Sequence, residues 1–492
     1  MKRYKIYTKY LICFILFALS FTIQGCKKLV EVDGPTTSVN SEDIYKNDQT
    51  ATAVLTGIYI DMSTSNLQYA NLPGISYLSG LSSDELSLYE RATDVVLNGY
   101  FQNKLDQQFI GNGFWGSIYS SLYTVNSALD GVSNAQNLTP KVKQQLIGEA
   151  KFMRALCFFY LVNLYGDVPL VLGTDYKVNA SMPRTFKGEV WKQVISDLTD
   201  AQNLLSDNYL DATLLNTTEE RVRPTKYAAT ALLSRAYLYQ GEWEKAEAQA
   251  TSLLENPSFE LVKLEEVFLK NNKEAIWQLQ GVTKGFNTKE AYAFIISPEL
   301  GFFNFNPAYL NPSLLESFEP GDLRKSVWTN SIVVEGMRYY FAYKYKIGQS
   351  SDVNAPINEY STVLRLAEQY LIRAEARIQQ NKVSEGIADL NALRDRARDK
   401  EADPNLQLKL LPADLSRADA LMAVEKERRI ELFTEWGHRW LDLKRTGRVD
   451  AVMTEELPKK LSAGVWNTNQ QFYPIDILQL QRNPNLVQNK GY

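Results

Sequence analysis

The chain has 492 residues, 45% of them hydrophobic and 22% charged, which is enough for a large core and excludes a miniprotein held together by staples. Lys and Arg number 53 against 57 Asp and Glu, a net charge of −4, so the balance carries no electrostatic footprint for nucleic acid. Aromatic content is high, with 28 Tyr, 21 Phe and 8 Trp, and that many rings must reach the surface as well as the core.

Residues 1–25 read as an export signal. MKRYKIYTKY is basic without an acid, and Leu11 to Ile23 is an uncharged run too short to span a bilayer comfortably. Ile23-Gln24-Gly25-Cys26 resembles the lipobox of bacterial lipoproteins, with cleavage before Cys26 and acylation of its thiol, which anchors a chain to a membrane without crossing it. Loss of the signal removes Lys2, Arg3, Lys5 and Lys9 and leaves the remainder more acidic. Cys157 is then the one unmodified cysteine, and its apolar surroundings, FMRALCFFYLVNLY, predict a buried structural thiol. Residues 26–45 are polar with a Gly-Pro step and form a lipidated flexible tether.

A single globular unit is expected over 46–492, with an N-terminal part to about 255 and a C-terminal part from about 256. Helical periodicity starts at Asp48 to Met62, and Trp115, Ile118, Leu122, Val125 and Leu129 mark one buried helical face. Thr139-Pro140 opens a long helix that stops near Gly166. Thr225 to Pro257 and Tyr360 to Ala397 each read as a long helix, a polar turn and a second helix. The first of these resembles a tetratricopeptide repeat through Leu233, Ser234, Tyr237, Gly241-Glu242-Trp243, Ala246 and Pro257; the second is similar through Ala374, Arg377 and Gly386. The predicted fold is mainly α, a scaffold of stacked helical pairs with a long irregular loop lobe and little β. The lobe falls in residues 61–112 and about 258–358, where GMRYYFAYKYKI is the best strand candidate.

His438 is the one histidine, and no zinc-protease helix, Gly-x-Ser-x-Gly elbow or phosphate loop surrounds it. Multi-histidine metal sites and nucleophile–histidine catalysis are therefore disfavoured, whereas a glycoside hydrolase needs only two carboxylates and leaves no such signal. The segment EKERRIELFTEWGHRWLDLKRTGR, Glu425 to Arg448, interleaves seven basic with five acidic residues. Helical spacing predicts Glu425 beside Arg429, Glu431 beside Arg428 and Glu435 beside Arg439, with Phe433, Trp436, Trp440 and Leu443 as one apolar stripe.

The same segment resembles the C-terminal signature of the SusD/RagB family of surface nutrient-binding lipoproteins. Val363 to Ala376, the ending Pro484 to Tyr492, Gly148-Glu149-Ala150, and Tyr165-Gly166-Asp167-Val168-Pro169 are similar to other parts of that family. The resemblance implies a tetratricopeptide-like scaffold on the outer membrane, facing the cell exterior. It also implies a partnership with a SusC-type TonB-dependent transporter, a glycan or peptide ligand held in loops, and no catalysis. It implies no organic cofactor, and calcium stays open, because loop carboxylates that bind it need no regular spacing.

Sugar faces stack on aromatic rings while sugar hydroxyls need polar partners. On that ground the irregular segments offer Tyr77, Asp84, Tyr89, Phe302, Asn304, Tyr309, Trp328, Tyr339 and Tyr340 as candidate ligand contacts. A glycan is the expected ligand, with a peptide ligand and a cell-surface glycoside hydrolase as alternatives.

Overall fold

In the computed structural model, residues 44–108, 113–296, 306–350, 352–461 and 464–492 are described. The export signal, Cys26 and nearly all of the tether lie outside the described residues, as do Phe302 and Asn304.

Helix α1 (Asp48–Thr64) starts where the Asn47 side chain accepts the Thr50 N–H at 3.0 Å, an N-cap that satisfies one orphan donor. Helix α2 (Ile75–Ser82) follows, and every one of its residues is buried. It lies within 61–112, which sequence reading assigned to loops; four of its eight residues are Ser or Gly, which hides a buried helix from an apolar count.

Helices α3 (Gly113–Asn134), α4 (Pro140–Tyr165), α5 (Lys187–Leu204), α6 (Lys226–Tyr239), α7 (Trp243–Leu254), α8 (Leu366–Gln379) and α9 (Val383–Arg396) each pack chiefly on the next, giving stacked helical hairpins. Helix α4 is buried around almost its whole circumference, so it reads apolar on all sides rather than amphipathic. Cys157 sits fully buried in it, and burial pushes its thiol up to about 12, as an inert structural cysteine requires. The predicted hairpins α6–α7 and α8–α9 are present, with turns at Gly241 and Asn381. At the second hairpin the helices approach so closely that a β-carbon on Gly386 would lie 2.5 Å from Ile378 Cγ1. Helix α5, which sequence reading did not assign, presents Val190, Trp191, Val194, Leu198 and Ala201 to its neighbours.

Sheet is confined to three antiparallel pairs among the described residues. Strand β1 (Leu86–Leu88) pairs with β3 (Ala308–Leu310), β2 (Ala275–Leu279) with β6 (Ser361–Arg365), and β4 (Thr329–Val334) with β5 (Met337–Ala342). The β4–β5 hairpin turns at Glu335-Gly336, both left-handed (φ 50° and 81°), as a two-residue primed turn requires. Helices α10 (Arg417–Glu431), α11 (His438–Arg445) and α12 (Val449–Lys460) close the order of major elements. Most of the apolar interior is one continuous cluster, running from α1 through α4 to Trp440, Tyr473 and Ile475.

Candidate functional site

The segment Glu425 to Arg448 is not one continuous helix. Helix α10 ends at Glu431, and a turn follows in which Thr434, Trp436 and Gly437 all have positive φ, before α11 begins at His438. Helix α2 lies against this turn, and a β-carbon on Gly437 would meet Ser79 Oγ at 2.6 Å. The Trp436 N–H donates to Ser76 Oγ, and its indole N–H donates to the Thr362 carbonyl, both at 2.8 Å. Phe433, Trp436, Trp440 and Leu443 are all buried, as the apolar stripe predicted.

The charges pair differently from the expectation of neighbouring helical turns. Glu431 accepts from Arg324 at 2.8 Å, Arg365 at 2.7 Å and Arg396 at 2.5 Å, and none of these side chains is more than 8% exposed. Glu435 takes Arg365 and Lys344, Glu427 takes Arg324 and Arg394, and Glu274 takes Arg365 and Arg396. Arg428 instead reaches Asp442 at 2.6 Å, and Glu425 reaches Arg439 at 3.2 Å. The tertiary path overrides helical spacing here, because a buried charge must find partners wherever the fold brings them. These ion pairs tie α10 and the turn to β6, α9 and the short helix Leu323–Val327.

His438 is 4% exposed, and its Nε2 stands 4.0 Å from Glu368 Oε1. Burial first, and then the nearby Arg235, Arg428 and Arg365, hold its pKa well below the usual imidazole value, so the ring is neutral. Glu368 already takes Arg235 through two bonds of 2.6 Å. A neutral, enclosed ring beside an occupied carboxylate holds the scaffold; it offers no accessible base. Among the described residues, no group of three or more His, Cys, Asp and Glu is arranged to hold a metal ion.

The predicted ligand contacts separate into distinct environments. Tyr77 is fully buried on α2 and stacks on Phe294 with centroids 5.5 Å apart. Asp84 is 3% exposed; its carboxylate accepts from Arg439 at 2.7 and 2.8 Å and forms an ion pair with Arg429 at 2.9 Å, while its carbonyl accepts from Arg429 at 3.0 Å. Trp328 has no exposed surface, and its indole N–H donates to the Leu264 carbonyl at 2.9 Å. These three lie in the interior, where they meet Phe294, Arg429, Arg439 and the Leu264 carbonyl.

Of the other described candidates, Tyr89 follows β1, Tyr309 lies on β3, and Tyr339 and Tyr340 lie on β5 of the β4–β5 hairpin. Tyr339 stands 5.7 Å from Tyr89 and 5.1 Å from Tyr309, edge to face in both cases, and Tyr309 keeps part of its surface. Strand alternation sends Tyr340 to the opposite face of β5. There it lines an open cavity of about 560 Å³ with Glu319, Lys325, Asn330 and Ser331. The set is thus split by a strand rather than assembled into one pocket.

Beside Asp84, Glu85 behaves in the opposite sense. Paired arginines hold Asp84 well below the usual carboxylate range, whereas burial pushes Glu85 up to about 8. A carboxyl raised on folding adds stability that is fully present below its unfolded pKa near 4.5 and is lost as pH rises through about 8. Glu85→Gln therefore narrows the pH dependence: the stability advantage of Glu85 over Gln falls by on the order of 2–3 kcal/mol between pH 5 and 8 in urea unfolding. A difference that stays constant over that window counts against a neutral Glu85.

Two family models match the chain: one described as starch-binding and associating with the outer membrane covers residues 38–238, and one described as the SusD family covers residues 323–492. The chain belongs to the SusD/RagB family. Among its relatives, it is 25% identical to SusD-like protein P25 of Formosa agariphila, over 96% of this chain and 98% of that protein. With SusD-like protein P2 of the same organism the identity is 26%, over 98% of this chain and 100% of that protein. A solved SusD homolog from Bacteroides thetaiotaomicron superposes with a TM-score of 0.76 at 19% identity, covering 93% of this chain and 100% of that one. A laminarin-binding SusD-like protein superposes with a TM-score of 0.70 at 23% identity, covering 91% and 100%. The fold is therefore the SusD fold. No described helix is long and apolar enough to cross a membrane.

Proposed function

We propose that this protein is a lipid-anchored receptor on the outer membrane that captures a glycan outside the cell and passes it to a SusC-type TonB-dependent transporter, without catalysis. Family membership carries this reading, supported by the laminarin-binding neighbour of the same fold and by the family description of starch binding. Cys26 is the attachment point, and the tether of residues 26–45 gives the globular unit reach above the membrane. The partly exposed rings Tyr309, supported by Tyr339 and Tyr89, and Tyr340, on the other face of β5, are two separate proposed aromatic contacts. Lys325, Asn330 and Ser331 supply polar partners for hydroxyls beside Tyr340.

Titration calorimetry of the purified chain against laminari- and malto-oligosaccharides tests the reading, with chromatography of the same mixtures after incubation. Binding with no shortening of the sugar is the expected result. Release of shorter products would make the protein a hydrolase, and binding only to peptides would replace the ligand class. Tyr309→Ala with Tyr340→Ala is expected to weaken glycan binding at least tenfold, since each lost stacking contact contributes about 1 kcal/mol. Unchanged affinity in that double variant removes both rings from the binding surface.

A further inference from the structure

Helix α3 carries a second aromatic feature. Trp115, Tyr119 and Tyr123 recur at every fourth position and so share one face. Along that face burial falls, from Trp115 at 4% exposed, through half-buried Tyr119, to Tyr123 at 56%. The Trp115 and Tyr119 rings are 5.1 Å apart, and the Tyr119 hydroxyl donates to the Pro169 carbonyl at 2.7 Å, which fixes the lower part of the face. The segment after α4 supplies an opposing wall: the Asp175 side chain caps the short helix Tyr176–Asn179, whose Tyr176 is 72% exposed. The C-terminal helix Ile477–Arg482 supplies a third side through Gln479 and Arg482. Together these elements enclose a cavity of about 330 Å³, within the range of small-ligand sites.

The polar groups of this cavity have an unusual status. Every other described arginine makes a side-chain hydrogen bond or an ion pair, including those at the surface such as Arg91, Arg338 and Arg448. Arg482 makes none among the described residues, and neither does the Gln479 amide. No Asp or Glu lines the cavity, so its one formal charge, a cation, is left without a counter-charge in a protein whose net charge is negative. Two exposed tyrosine rings suit the apolar face of a sugar, the amide suits its hydroxyls, and the guanidinium suits an anionic substituent, which it can take with two parallel bonds.

We propose that this cavity is a separate saccharide subsite selective for an anionic sugar, with the ring against Tyr123 and Tyr176 and its carboxylate or sulfate on Arg482. The subsite rests on the glycan-receptor reading and adds to it a preference for a glycan that carries acidic sugars. It also gives the protein two points of attachment to one long chain, and multivalent contact raises the overall affinity for a polymer above that for a short fragment.

Calorimetry on the full chain uses three probes: trigalacturonate, a sulfated carrageenan oligosaccharide and neutral galactotriose. The expected result is preferential binding of one or both anionic probes, weakening as salt rises from 20 to 300 mM. Which anionic probe binds distinguishes carboxylate from sulfate recognition. Arg482→Ala, at an exposed position, is expected to reduce that binding at least tenfold without changing the unfolding midpoint. Tyr123→Ala with Tyr176→Ala should do the same, while Tyr309→Ala with Tyr340→Ala should leave the Arg482 effect in place. Anionic binding that is unchanged in Arg482→Ala overturns the subsite, as does the absence of anionic binding in a chain that binds neutral laminari- or malto-oligosaccharides; the receptor reading survives both. Failure to bind any saccharide overturns both proposals.

Discussion

Glu431→Gln is expected to lower the unfolding free energy by about 3–5 kcal/mol, the cost typical of breaking a buried ion pair from one side. The Glu431 carboxylate is wholly buried and faces Arg324, Arg365 and Arg396 at 2.5–2.8 Å. Burial alone would raise its pKa, yet the three guanidinium groups hold it well below the usual carboxylate range. The carboxylate is thus ionised in the fold, and neutralising it leaves three buried cations to share Glu274, Glu427, Glu435 and Asp322. The amide fits the same volume, so the loss is electrostatic rather than a cavity. Urea unfolding monitored by tryptophan fluorescence gives the number, and a change below about 1 kcal/mol would show that the remaining acids suffice. Because the pairs form one network, Glu431→Gln combined with Arg365→Met should cost less than the sum of the two single changes.

The helical pairs were readable from the sequence because their signals are local. Tyr237, Gly241, Ala246, Ala374 and Gly386 act within one or two turns, and a Gly386 that touches Ile378 must be small whatever the rest of the chain does. The apolar stripe Phe433, Trp436, Trp440 and Leu443 was equally readable, even though Gly437 and its positive-φ neighbours divide it between two helices. The partners of the charges were not readable. Glu431 meets Arg365 across 66 residues and Arg324 across 107, and helical spacing sees only the neighbours three and four positions away. The ligand candidates divided on the same ground. Tyr339 and Tyr340 alternate on a strand that the sequence suggested, whereas Tyr77 and Trp328 look like loop aromatics until their partners Phe294 and the Leu264 carbonyl are known. Arg482 carries no motif at all; its interest comes from what the fold fails to place beside it.

Asp84 separates scaffold from ligand site more sharply than any other candidate, because an acidic side chain near exposed loops suits a sugar hydroxyl as well as an arginine. Its carboxylate takes both sides of the Arg439 guanidinium and also Arg429, joining the segment before β1 to α10 and α11. Arg439 is buried and Arg429 nearly so, and although Arg439 keeps Glu425, and Glu85 and Glu456 lie near Arg429, removing the acid takes from both cations the carboxylate they share. Asp84→Asn is expected to cost about 3–5 kcal/mol of stability. The sign with pH follows from the lowered folded pKa: the contribution of Asp84 is complete above the unfolded carboxylate value and is lost only as pH falls through the folded one. The deficit of the variant should therefore be constant from pH 6 to 8 and shrink in acid. Glycan affinity of the folded variant, measured by calorimetry at a temperature well below its unfolding midpoint, should match that of the wild type. A variant that unfolds normally but binds glycan tenfold more weakly would return Asp84 to the ligand site and move the binding surface from Tyr309 and Tyr340 toward α2.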